Sequence, residues 1–155
     1  MGRPDTPSTV YLDSCAFLYV LNQTEGYEPV ADLLRLADAG QVTVMTSPLI
    51  LVEVRGAPRS ADFDMARENR VRRMIDNPRL LLVEFDRPVA LKARDLSWRY
   101  RLKPADAIHL ASAVIGEANA FMTFDGGFPC GTEVDGVWVD KPYKYGGPDL
   151  FDGTI

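Results

Sequence analysis

Histidine and cysteine are nearly absent from this chain: His109 is the only imidazole, and Cys15 and Cys130 are the only thiols. One histidine excludes a zinc site built mainly from imidazoles and any mechanism that needs two of them. The two cysteines sit far apart and form no metal-like pair, so they read as reduced thiols, with Cys15 a small core residue. No run is long and apolar enough for a transmembrane helix. The first eight residues carry Pro4 and Pro7 and lack the apolar core of a secretory leader, so the expectation is a cytoplasmic protein with no membrane partner. Positive charge is also in deficit. With 17 Lys and Arg against 22 Asp and Glu, the net charge of −5 argues against a generic polyanion binder.

What remains is ordinary for a globular protein, and 155 residues most simply make one domain with a substantial core. The expected division is a disordered lead over residues 1–8, a domain over 9–140, and an irregular tail over 141–155 that is rich in glycine, proline and aromatics. Charge is spread unevenly. Residues 55–79 hold seven arginines against four acids, a local net of +3 that leaves −8 for the rest of the chain. Within that segment Arg55, Arg59, Arg67 and Arg70 are candidate contacts for a phosphate backbone, since local charge decides docking.

Short apolar runs at 9–12, 42–45, 80–83 and 120–124 predict buried strands, and 137–139 a last one. Between them the spacing predicts helices over 15–21, 28–39, 49–54, 61–76, from Asp86 to about Tyr100, and from Pro104 to about Gly116. Ser47-Pro48 opens the third of these and Asp86 caps the fifth. Alternating strands and helices define an α/β class: a central parallel sheet of four to five strands flanked by helices.

The stretch Pro104-Ala105-Asp106-Ala107-Ile108-His109-Leu110-Ala111 is apolar on nearly every side yet carries Asp106 in its first turn. A carboxylate on an interior helix needs partners, a proton or a metal. Glu53 is a second acid set in an apolar run, and Asp13 and Asp125 each end a strand. Ligands of parallel α/β sheets bind at the carboxyl edge of the strands. Asp13 and Asp125 fall at that edge, as does the amino end of the Pro104 helix, and Glu53 lies about one and a half turns into the helix leaving it. Two carboxylates about 5 Å apart repel by roughly 3 kcal/mol at an effective dielectric near 20. Four together therefore imply protonation or a divalent cation, and oxygen-only ligands point to Mg²⁺ or Mn²⁺. Such a cation activates water and offsets phosphoryl charge, which suggests phosphodiester hydrolysis.

The chain resembles the PIN-domain ribonucleases, in particular the VapC-type toxins of bacterial toxin–antitoxin pairs. The resemblance covers about residues 9–140. It rests on Val10-Tyr11-Leu12-Asp13-Ser14, on Ser47-Pro48 leading to Glu53, on Asp106-Ala107-Ile108-His109-Leu110-Ala111, and on Thr123-Phe124-Asp125. It implies that Asp13, Glu53, Asp106 and Asp125 form the family's acidic metal-binding quartet, with the hydroxyls of Ser14 and Thr123 in support. It further implies Mg²⁺- or Mn²⁺-dependent cleavage of RNA, a homodimer, and a cognate antitoxin whose segment blocks the site. The tail from Lys141 is longer than such toxins usually carry.

Each residue also has a plainer reading. Asp13 could cap the following helix, Glu53 could be solvated, Asp106 could serve the helix dipole, and Asp125-Gly126 is an ordinary turn signal. His109 reads as structural, and Trp98 and Tyr100 as core or interface. The competing function is a catalytically silent PIN-like module that binds RNA or a protein. A haloacid-dehalogenase-like phosphatase is disfavoured because position 15 is Cys, and a receiver domain because 121–128 holds no lysine.

Overall fold

The computed structural model describes residues 2–55 and 57–147. Among the described residues six strands form one sheet: β1 (Thr9–Leu12), β2 (Thr43–Thr46), β3 (Leu80–Leu82), β4 (Ala120–Met122), β5 (Thr132–Val134) and β6 (Val137–Asp140). Their order is β3-β2-β1-β4-β6-β5, parallel throughout except that β5 runs antiparallel to β6. The predicted parallel α/β class holds, with one strand more than expected. That strand, Thr132–Val134, is half of a hairpin whose turn places Asp135 and Gly136 at positive φ. Two of its three residues are exposed, so the apolar run that marks a buried strand is missing.

Side-chain alternation along the central strands builds two cores. Val10 and Leu12 of β1 face one way, with Phe17 of α1 (Ser14–Asn22) and Val30 and Leu33 of α2 (Glu28–Asp38). Tyr11 faces the other way, with Leu96 of α5 (Arg87–Tyr100) and Leu110 of α6 (Pro104–Ile115). The sheet is therefore covered on both faces, which is why its central strands are apolar without polar alternation. In α6, Ala107, Ala111 and Ala113 are all buried, small residues that let the helix lie close to its neighbours.

Local chemistry explains most boundaries. Asp86 caps α5 by accepting from the Val89 N–H at 3.0 Å, as predicted. Pro104 stands in the first turn of α6. Two helices are shorter than their sequences suggest. The helix after Ser47-Pro48 is a single turn, α3 (Ile50–Glu53), preceded by a turn in which the Ser47 hydroxyl accepts from the Leu49 N–H. The arginine-bearing helix, α4 (Met65–Ile75), begins four residues late because Asp64 accepts from the Ala66 N–H and acts as its cap.

Residues 3–5 of the lead touch the start of the tail. Tyr143 donates its hydroxyl to the Pro4 carbonyl at 2.6 Å, Asp5 accepts from the Gly146 N–H, and Arg3 stacks over the Tyr143 ring. Residues 141–147 are irregular and lie across the lead, and the rest of the tail falls outside the described residues. Trp98 is 79% exposed, so it does not belong to the core. Among the described residues no helix is long and apolar enough to cross a membrane.

Candidate active site

The register of β1 with β4 builds the floor of the site. Leu12 pairs with Met122, so the next residues along, Asp13 and Thr123, leave the sheet side by side. Thr123 donates its hydroxyl to Asp13 Oδ2 at 2.6 Å, and its Oγ1 accepts from the Asp125 N–H at 3.0 Å. Asp13 Oδ1 accepts from the Ala16 N–H and from the Cys15 thiol. The acid is 4% exposed and both its oxygens are engaged. It therefore caps α1, as its plainer reading had it, and forms the floor as well. Burial raises its pKa, and the bonds from Cys15, Thr123 and the Ala16 N–H hold that rise back.

Asp106 enters from α6. Its pKa is raised by burial first, and then by the charges of Asp125, Asp13 and Glu53. All four predicted acids thus act on one place through their fields, although they come from four separate parts of the chain. They differ in depth: Asp13 is buried, Glu53 and Asp106 are half-buried, and Asp125 is exposed. Asp125 Oδ1 also accepts from the Gly127 N–H, the turn role that its sequence suggests. Glu53 is not a solvated helix residue, because its Oε1 lies 2.7 Å from His109 Nε2.

Ser14 and Glu53 open into a cleft of about 910 Å³ whose rim includes Arg55 and Arg59. Arg67 lines a different groove, beside α4, and Arg70 is exposed on that helix and does not reach the cleft. Of the four candidate arginines, two therefore stand where a chain approaching Glu53 would meet them.

Two contacts at the site escaped the sequence reading. Cys15 is half-buried rather than core, and its thiol donates to Asp13 at 3.0 Å. Burial and the Asp13 charge push that thiol up to about 12, so it stays protonated and unreactive. A signal was available, since Cys15 stands two residues after a strand-end acid that caps a helix. His109 bridges Glu53 and Tyr11, and the three-residue spacing from Asp106 was its only hint.

Among the described residues, no three His, Cys, Asp or Glu side chains form a group that could hold a metal as they stand. In chemistry the donor set suits a hard divalent cation: it is made of carboxylates and hydroxyls, and their mutual repulsion is what a cation relieves.

Fold and acidic edge together define a class of α/β proteins with clustered carboxylates where the parallel strands end. The PIN domain family model matches residues 10–129, and the chain belongs to the PIN-domain family. Solved structures show the same fold at low identity. A chain of a toxin–antitoxin complex from Klebsiella pneumoniae is 20% identical, with a TM-score of 0.63 over 87% of this chain and 98% of that one. A chain of VapBC2 from Rickettsia felis, bound to a DNA fragment from its promoter, is 15% identical, with a TM-score of 0.64 over 86% and 98%. A chain of FitAB bound to an IR36 DNA fragment is 19% identical, with a TM-score of 0.59 over 86% and 94%. No curated protein sequence matches the chain.

Proposed function

We propose that this PIN domain is a metal-dependent endoribonuclease, the VapC-type toxin of a type II toxin–antitoxin system. The observation that carries the reading is the electrostatic coupling of Asp106 to Asp125, Asp13 and Glu53 at one sheet edge. Those four acids would hold Mg²⁺ or Mn²⁺, and a bound cation supplies activation of water and offsets charge on the phosphoryl group. The chain's own residues do the rest. Thr123, Cys15 and the Ala16 N–H fix the Asp13 carboxylate, so no reorganisation is needed there when substrate arrives. Ser14, Arg55 and Arg59 face the cleft beside Glu53 and would take the RNA backbone.

The toxin–antitoxin complexes among the structural neighbours support a cognate antitoxin as partner, with the cleft as the surface its segment would block. A homodimer has an apolar face ready on α5, where Trp98 stands exposed beside a groove lined by Phe85, Pro104 and Ile108. The setting for such a pair is the cytoplasm.

The test is cleavage of a mixed RNA pool by antitoxin-free protein with Mg²⁺, Mn²⁺ or EDTA, alongside Asp106→Asn. Cleavage that needs the metal and falls by at least about 10²-fold in the variant is expected, as for loss of a group acting on the reacting centre. Well-folded protein that binds RNA and cuts nothing with either metal would instead establish a silent binding module.

A further inference from the structure

Both ring nitrogens of the only histidine are engaged. His109 follows Asp106 by three residues on α6, so the two share a helix face, and the ring is 1% exposed. Its Nε2 lies 2.7 Å from Glu53 Oε1, and its Nδ1 lies 2.7 Å from the Tyr11 hydroxyl. A carboxylate only accepts, so Nε2 carries the hydrogen; in the neutral ring Nδ1 is then the acceptor and the Tyr11 O–H the donor. The Thr46 and Ser112 hydroxyls, which also lie against the Tyr11 oxygen, spend their own hydrogens on the Leu12 and Ile108 carbonyls. Tyr11 is itself immobile. It has no exposed surface, and its ring stacks on Phe121 at 5.3 Å between centroids with 7° between the planes.

Glu53 needs such a hold. It is the last residue of the four-residue α3, and its neighbour Val52 is 74% exposed. Only Ile50 and Val54 pin this segment into the core. Backbone geometry alone leaves the carboxylate free to choose among rotamers, and the hydrogen bond from His109 removes that choice.

We propose that His109 is a positioning residue: the chain Tyr11–His109–Glu53 fixes the Glu53 carboxylate so that it meets a divalent cation already oriented. The inference rests on the reading that Glu53 is a cation ligand. It makes α6 supply two things to the site, the Asp106 carboxylate and the clamp on Glu53. Outer partners of ligating groups matter in this way because they set ligand orientation.

The test measures Mn²⁺ binding to the full chain by electron paramagnetic resonance of the free ion, with melting in EDTA as a check on folding. Glutamine places an N–H near Nε2, whereas asparagine reaches only the Nδ1 side. His109→Asn should weaken Mn²⁺ binding about 10–100-fold and His109→Gln no more than about 3-fold, the range set by loss of an outer-shell partner. Tyr11→Phe should fall between them, and His109→Asn should add nothing in a Glu53→Gln background. A role confined to core packing would lower melting without distinguishing the two amides or depending on Glu53. The inference is overturned if folded His109→Asn binds Mn²⁺ like wild type, or if its full loss persists beside Glu53→Gln. Should His109→Asn not fold, wild-type affinity in Tyr11→Phe overturns it equally. Wild-type protein that binds no Mn²⁺ would overturn the cation reading itself, a result distinct from binding that ignores His109.

Discussion

Thr123→Val removes two hydrogen bonds at once while keeping the shape of the side chain. Thr123 has no exposed surface, and its hydroxyl both donates to Asp13 Oδ2 at 2.6 Å and accepts from the Asp125 N–H at 3.0 Å. A bond to a charged group contributes about 1.5–3 kcal/mol and a neutral one about 1 kcal/mol, so the loss should be near 3 kcal/mol. For a domain of this size each kcal/mol moves Tm by about 2–4 °C, giving a drop of roughly 6–12 °C. The Asp13 carboxyl, already raised by burial, loses one of the bonds that favour its ionised form and rises further. Thr123→Ser keeps the hydroxyl and gives up one methyl, at a cost of about 1 kcal/mol. Calorimetry of both variants at neutral pH in EDTA separates the contributions. If the valine variant melts within about 2 °C of wild type, or above the serine variant, the hydroxyl does not hold the floor of the site.

Asp106→Asn should stabilise the metal-free protein. Burial, and then the charges of Asp125, Asp13 and Glu53, raise the folded pKa above the ordinary 3.8. Such a group's contribution is complete below 3.8 and is lost as pH rises through the folded value, so wild-type Tm in EDTA should fall across that window while the variant's stays flatter. Superimposable Tm–pH curves would sink this account. Asp135 carries the opposite sign. The hydrogen bond from Arg99, followed by that from Lys92, holds its carboxyl at about 2, so its stability is present above the ordinary 3.8 and lost as pH falls through about 2. The group is exposed and screened, so Asp135→Asn should cost only about 1 kcal/mol at neutral pH and low salt, less at high salt, as read from urea midpoints. An unchanged midpoint at low salt would mean that tying α5 to the β5–β6 hairpin contributes nothing.

How much of this was legible in the sequence depends on how local the cause was. The α5 boundary was readable because Asp86 and its capping bond to Val89 lie three residues apart, and the start of α6 because Pro104 acts on its own turn. The acids were readable for a similar reason: a charge in an apolar run is conspicuous without any knowledge of its partners. Asp64 was an equally local cap, but it was passed over because the polar stretch before it offers no period against which to fix a start. The β5 strand was missed because its stability comes from pairing with β6 and from a turn at Asp135-Gly136, while its own residues face water.

The contacts that organise the site itself are of another kind. Thr123 meets Asp13 across 110 residues, His109 meets Glu53 across 56, and Tyr11 meets His109 across 98. No window-based reading reaches these pairs, since they depend on strand order and on which helix face turns inward. Topology makes them intelligible afterwards. The β1–β4 register delivers the first pair. The strand alternation that sends Tyr11 toward α6, opposite to Val10 and Leu12, delivers the last. The same alternation explains why Tyr11 can carry a hydroxyl into an apolar layer. Its hydroxyl meets His109 Nδ1, which accepts in the neutral ring because the other nitrogen donates to Glu53. A polar side chain in the middle of a core strand and a lone histidine on a core helix, each unremarkable alone, are thus two ends of one chain of hydrogen bonds that stops at a carboxylate of the site.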